Sequence, residues 1–341
     1  MNALVLAAPG KTEVRRVAVP QVGEGEILVK TAAVALNPAD HKSKPAFPSS
    51  SPSSAWLTLS PPTVRDFVAS PGDRVAGFVA GGLSGEVGAF AEYVKTEEKL
   101  VWRVPEGVKL EKAAAAGGGA LWTAIQVLYS YLHLSPPSNP ITTAEPVLVW
   151  GGSTSVGLYA VQLLNAAGYT VVATASEKNF ATVEEFGAHA VFSHSDPDVS
   201  SKISSAFPSL SLAFDCYAEH GSDVKVAKAI VGAAGKGHVV LLNQPSEEVA
   251  EYADRVKVKR TVLYTILGQP IDMLGMQLPA RPEERELIEK WLATDIPALF
   301  ISGKLKSNPV LLGNGGLGGI AEGLEYLKAG KVSAQKLVYT I

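Results

Sequence analysis

The segment Pro146-Val-Leu-Val-Trp-Gly-Gly-Ser-Thr-Ser-Val-Gly157 runs from a short apolar stretch into a glycine-rich turn, and Leu158–Ala167 continues with helical spacing. A turn of this kind aims backbone N–H groups toward the start of the following helix, where the helix dipole favours an anionic phosphate. The chemistry it predicts is capture of a dinucleotide pyrophosphate. The three positions of the G-x-G-x-x-G pattern read Gly152, Thr154 and Gly157, so the match is loose. The motif alone leaves open a strand, turn and helix without a ligand.

The next apolar run narrows the reading. Gly168-Tyr-Thr-Val-Val-Ala-Thr-Ala-Ser176 is β-branched and ends roughly 20 residues beyond the turn, where an acidic residue would hold the ribose of NAD. Here it ends in Ser176, Glu177, Lys178 and Asn179 instead. The hydroxyl of Ser176, the ammonium of Lys178 and the amide of Asn179 can bind a 2′-phosphate that an aspartate would repel. NADPH is the expected cofactor. Glu177 argues the other way, and Ser176 also suits a helix N-cap.

Composition sets the limits. The 341 residues are 47% hydrophobic, enough for two moderate cores. A net charge of −3 gives no basic surplus for nucleic acid. The longest apolar runs are far shorter than a membrane span, and the N-terminus has no charged leader region. A soluble, cytoplasmic protein is expected. Cys216 is the single cysteine and His41, His133, His189, His194, His220 and His238 are scattered without ligand spacing, so no metal site is expected. Cys216 reads as inert core packing.

The elements that must position these residues fall into two groups, and the class is α/β. From Pro146 onward, strands expected at Val147–Trp150, Thr170–Ala175, Ala190–Ser193, Leu212–Cys216, Gly237–Asn243 and Thr261–Leu267 alternate with helices at Val156–Ala167, Phe180–Phe186, Ser222–Val231 and Ser246–Arg255. That order predicts a doubly wound parallel sheet. Before it, Ala3–Leu6, Thr12–Val19, Glu26–Ala35, Asp73–Phe78 and Phe90–Val94 read as short strands of an antiparallel, barrel-like module. After it come a helix at Glu283–Thr294, another at Ile320–Ala329, and a last strand, Lys336–Ile341, expected to return to the first module. Phe47–Ala55 is rich in Ser and Pro, and Trp56–Ala69 has no clear period, so a mobile loop is expected there.

Several segments together resemble a known family. Gly23-Glu-Gly-Glu-Ile-Leu-Val-Lys30, Leu36-Asn-Pro-Ala-Asp-His-Lys42, Pro71-Gly-Asp-Arg-Val-Ala-Gly-Phe78 and Gly88-Ala-Phe-Ala-Glu-Tyr-Val94 look like the GroES-like half of the zinc-free medium-chain dehydrogenase/reductase superfamily. With Gly151–Gly157, Ala175–Phe180, Tyr264–Gly268 and Lys331–Val338, the chain is similar to the trans-acting enoyl reductases of fungal polyketide biosynthesis. The resemblance implies a GroES-like β-rich catalytic domain in residues 1–122 and 271–341, with residues 45–70 atypical, and a Rossmann NADPH-binding domain in residues 123–270. It implies pyrophosphate contacts at Ser153, Thr154, Ser155 and Val156, and 2′-phosphate contacts at Ser176, Lys178 and Asn179. His194 stands where relatives have a tyrosine near the adenine. Leu242, Val338 and Tyr339 would line the cofactor groove, Lys42 and Thr123 would be catalytic, and Thr265, Ile266, Leu267 and Gly268 would border the substrate.

The implied reaction is reduction of the α,β-double bond of an enoyl thioester carried by a polyketide synthase or its acyl carrier domain, with the reductase acting as a monomer. Such a reaction needs hydride at the β-carbon, hydrogen-bond donors at the developing enolate and a proton at the α-carbon, and no Lewis-acid metal. Lys42 could equally be a surface lysine and Thr123 a buried helix-start hydroxyl. Glu24, Glu26 and Glu283–Glu286 read as solvated turn and helix-start residues, and Trp122, Trp150 and Trp291 as packing. Relatives have a glycine-containing strand pair where residues 45–70 contain no glycine, which predicts a barrel short of two strands. Two other readings stay open: a stand-alone NADPH quinone or enone reductase, and a catalytically impaired NADPH-binding partner of a synthase.

Overall fold

A computed structural model describes residues 1–8, 10–42, 56–60, 72–81, 88–273 and 276–341. It divides into two compact units, Ala120–Leu263 and a second built from Met1–Gly119 with Tyr264–Ile341.

The first of these is a doubly wound sheet. Its strands are β1 (Pro146–Trp150), β2 (Thr170–Ala175), β3 (Ala190–Ser193), β4 (Leu212–Asp215), β5 (Gly237–Leu241) and β6 (Val256–Arg260). They run parallel in the order β3-β2-β1-β4-β5-β6. The helices between them are α1 (Ser155–Ala166), α2 (Phe180–Glu185), α3 (Val199–Ala206) and α4 (Ser222–Gly232). The central strands are Val- and Leu-rich because helices cover both faces, and Leu148, Val172, Ala213, Val239 and Ile230 join one core. Strand order reverses between β1 and β4, and in doubly wound sheets the carboxyl ends at such a reversal are where ligands bind.

Two expectations fail at the far edge. The sixth strand is Val256–Arg260 rather than Thr261–Leu267, and Leu263–Leu267 is a 3-10 turn. Val256 is buried while Lys257 and Lys259 are exposed, the alternation an edge strand needs. The helix expected over Ser246–Arg255 shrinks to a 3-10 turn, Glu248–Tyr252, and the Arg255 carbonyl instead accepts from Gly237 N, the first residue of β5, at 3.0 Å.

The second unit is β-rich. One sheet runs Val310–Gly313, Lys336–Thr340, Glu26–Ala35, Trp56–Ser60, Val75–Phe78 and Val101–Arg103, with Tyr93–Glu97 also pairing Glu26–Ala35. The last strand of the chain pairs antiparallel with Glu26–Ala35, Val338 opposite Ala35 and Tyr339 opposite Val34. Trp56–Ser60 lies in the stretch expected to be a loop. It pairs with a strand on each side, so flanking main chain supplies the hydrogen bonds its composition does not advertise. The remainder of 43–71 lies outside the described residues. The helix expected at Glu283–Thr294 ends at Lys290, passes through a π-turn at Trp291–Asp295 and resumes at Ile296–Ile301. Pro297, in the first turn of that last segment, has no N–H to continue the ladder.

Candidate functional site

In the Ala120–Leu263 unit the sequence-assigned residues that follow strands gather at carboxyl ends. The glycine turn follows β1, Ser176 follows β2, His194 follows β3 and Leu242 follows β5. Thr123 precedes the sheet, in the helix Gly119–Ile125. It is the fifth residue there and buried, which removes it from the helix-start role expected of its hydroxyl.

The turn is fixed by its own side chains. Thr154, standing where the second motif glycine would be, is the N-cap of α1, and its hydroxyl accepts from Gly157 N at 3.0 Å. Buried Thr174 on β2 holds the other end: its hydroxyl accepts from Gly151 N at 3.0 Å and its carbonyl from Gly152 N at 2.7 Å. A Cβ on Gly157 would sit 2.2 Å from the Gly151 carbonyl oxygen, and one on Gly152 2.9 Å from the Ala173 Cβ. Both positions therefore exclude any side chain. Ser153, Thr154, Ser155 and Val156 are all half-buried at this helix start, where hydroxyls and N–H groups together form a donor set suited to a pyrophosphate. The residues present fit a dinucleotide.

The rim around the turn has a hydroxyl and an imidazole in contact: Ser176 Oγ lies 3.1 Å from His194 Nε2. Lys178 is exposed in the short turn Glu177–Asn179 and Asn179 is buried behind it.

Sequence reasoning passed over Asp215, the last residue of β4 and fully buried. One carboxylate oxygen accepts from the N–H groups of Tyr217 and Ala218 at 3.0 and 2.8 Å, and the other from the Ser222 hydroxyl at 2.5 Å. These bonds hold the bend beyond β4, which includes left-handed Ala218 and His220. Burial outweighs them and raises the carboxyl to about 6. A charged residue closing an apolar strand was the available signal. Neighbouring Cys216 is buried, and burial pushes its thiol well above the ordinary range, so it is packing and no nucleophile.

The other unit holds a second buried polar group. The Asn37 N–H donates to Asp40 Oδ2 at 2.6 Å, shaping the helix Pro38–Lys42, and the Lys336 ammonium donates to Asn37 Oδ1 across 299 positions of chain. All three are almost fully buried. Burial lowers Lys336 to about 8, against the pull of Asp40, and burial followed by the Asp40 charge pushes Tyr264 up to about 12. Lys42 ends this helix, and its side chain lies outside the described residues.

Thr265 and Ile266 are buried, and the Thr265 hydroxyl donates to Glu284 at 2.5 Å. Leu267 accepts from Arg285 at 3.4 Å through its carbonyl, and Gly268 adopts φ +76° against the Arg285 stem. Val338 is buried, and the Tyr339 ring lies on Gly313, Gly319 and Gly323, where any Cβ would strike it. Among the described residues no group of three or more His, Cys, Asp or Glu is arranged to hold a metal ion, and no helix is long and apolar enough to cross a membrane.

Comparison with known proteins adds three findings. Residues 155–289 match the family model described as zinc-binding dehydrogenase. The trans-enoyl reductase ACTTS2 of Alternaria alternata is 35% identical over 100% of this chain and 98% of its own, and the trans-enoyl reductase thnE of Trichoderma harzianum 34% identical over 99% and 95%. A mycobacterial structure determined as a complex with NADPH shares the fold, with a TM-score of 0.75 at 21% identity over 100% of both chains.

Proposed function

The chain belongs to the trans-enoyl reductases of the medium-chain dehydrogenase/reductase superfamily, and from that premise we propose that it reduces the α,β-double bond of a carrier-bound polyketide intermediate, with NADPH as cofactor. The observation that carries the reading is similarity to trans-enoyl reductases along essentially the whole chain. A polyketide synthase, or its acyl carrier domain, is the partner that would present the thioester.

When bound, the cofactor supplies hydride to the β-carbon. The protein's part is binding and electrostatics. The Ser153–Val156 turn, capped by Thr154 and pinned by Thr174, would hold the pyrophosphate. Ser176, Lys178 and Asn179 would hold the 2′-phosphate, with His194 beside them and Leu242, Val338 and Tyr339 along the groove. Thr123 would donate a hydrogen bond to the substrate carbonyl or the nicotinamide amide. Lys42 would act as a positioning or proton-relay cation at the end of the turn that Asp40 and Lys336 support. Thr265–Gly268 would border the acyl chain, and water is an available proton source for the α-carbon. We infer that no protein-bound zinc takes part, a view supported by a lone cysteine that is buried and proton-bound.

The test is a fluorescence titration with NADPH and with NADH, followed by NADPH oxidation with crotonyl pantetheine. Tighter NADPH binding with turnover is expected. Binding without turnover, even with the synthase present, would leave a cofactor-binding partner and overturn the enzyme reading.

A further inference from the structure

Lys225 is a lysine that neither the glycine turn nor the Ser176–Asn179 segment accounts for. It sits in the first turn of α4, half-buried, and its ammonium reaches 3.4 Å from the main-chain carbonyl of His194. The same His194 turns its ring to the Ser176 hydroxyl at 3.1 Å, and Ser176 closes β2, the strand end at which cofactor choice is made. One loop residue thus joins a cation from α4 to the 2′-phosphate corner.

The charges nearby do not neutralise it. Asp196 already pairs with Lys202 and accepts from Asp198 N. Lys225 and Lys178 take part in no ion pair among the described residues, and Glu177 is exposed and likewise unpaired. Lys225 is half-buried, its ammonium rests against the His194 carbonyl, and its own carbonyl accepts from the Ser200 hydroxyl at 2.8 Å. Its ammonium is therefore partly ordered before any ligand arrives, which lowers the entropy lost on binding. A carbonyl at 3.4 Å is a weak partner for a cation, and a phosphate dianion is a far stronger one.

We propose that Lys225 is a specificity-determining residue of the cofactor site, acting with Lys178 as a pair of cations that distinguishes NADPH from NADH. This rests on the NADPH reading above. A cation that meets only the 2′-phosphate changes affinity for NADPH and leaves NADH alone, because NADH carries no group there.

Lys225→Met keeps an unbranched apolar stem of similar length and removes the charge, and Lys225→Glu reverses it. Both are titrated with NADPH and with NADH at low and moderate salt, with 2′,5′-ADP as competitor. Expected is about a tenfold weaker NADPH complex for Lys225→Met and a larger loss for Lys225→Glu, with NADH affinity unchanged within about twofold. Unchanged NADH binding also reports an intact site. A wild type that prefers NADPH, with Lys225→Met unaffected or weakened equally for both cofactors, overturns the role of Lys225 alone. A wild type without preference overturns the NADPH reading itself.

Discussion

Replacing Asp215 by asparagine is expected to stabilise the protein at neutral pH. The carboxyl is raised to about 6 from an ordinary 3.8, first by burial and then by the neighbouring Asp223 charge. A carboxyl raised on folding contributes stability that is full below pH 3.8 and is lost as pH rises through about 6. Over that window the wild type gives up ~3 kcal/mol, the gap of about 2.2 pH units at 1.36 kcal/mol each. Asparagine does not titrate, and its geometry suits the site. Its oxygen can accept from Tyr217 N and Ala218 N, and its amide can donate to Ser222 Oγ, replacing the bond the hydroxyl now donates. Urea unfolding at pH 4, 5, 6 and 7.5 checks this, with midpoint and slope both followed. The Asp215→Asn advantage should be near zero at pH 4 and grow to as much as ~3 kcal/mol at pH 7.5. Asp215→Leu, which strands three donors, should lose ~2–5 kcal/mol at pH 4, with the deficit shrinking as pH rises because leucine does not titrate. A difference between wild type and Asp215→Asn that is flat with pH would refute the reasoning.

Further outcomes follow from the same contacts. Gly157→Ala places a methyl 2.2 Å from the Gly151 carbonyl oxygen, with backbone on either side that cannot yield cheaply; about 1–3 kcal/mol of stability and more than about tenfold in NADPH affinity should be lost, read by thermal unfolding and fluorescence titration. Thr154→Ala removes the α1 cap and should cost about 1 kcal/mol together with a measurable loss of NADPH affinity. Lys336→Met leaves the buried Asn37 Oδ1 without its ammonium donor and should cost roughly 1–3 kcal/mol. Because burial lowers Lys336 to about 8, the unfolded chain binds more protons above that pH, so wild-type stability should rise between about pH 8 and 10.5 while the variant lacks that rise.

The doubly wound sheet was readable because its signals are local. Five of the six parallel strands announce themselves as short β-branched or apolar runs, each followed by turn residues. The sixth was misplaced because Thr261–Leu267 is as apolar as a strand, and only alternation in Val256–Arg260 marks the true edge. Trp56–Ser60 escaped notice for a different reason: its pairing comes from Glu26–Ala35 and Val75–Phe78, neighbours invisible in a window of five residues. The glycine turn could be placed from spacing, but its stiffness could not. Thr174, which anchors it, reads in sequence as one more β-branched residue of β2. Lys336 and Asn37 lie 299 positions apart, and no periodicity links them. Asp215 was the missed residue with a visible signal, a carboxylate at the end of Leu212-Ala-Phe-Asp215.

The central claim is that this reductase acts on an enoyl thioester presented by a synthase. The direct measurement is NADPH oxidation by the full-length chain, comparing crotonyl pantetheine, a free quinone and an enoyl thioester loaded on the synthase's acyl carrier domain. The account predicts turnover of both thioesters, fastest on the carrier domain, with the reduced acyl chain found by mass spectrometry. Turnover of the quinone with none of either thioester would contradict it.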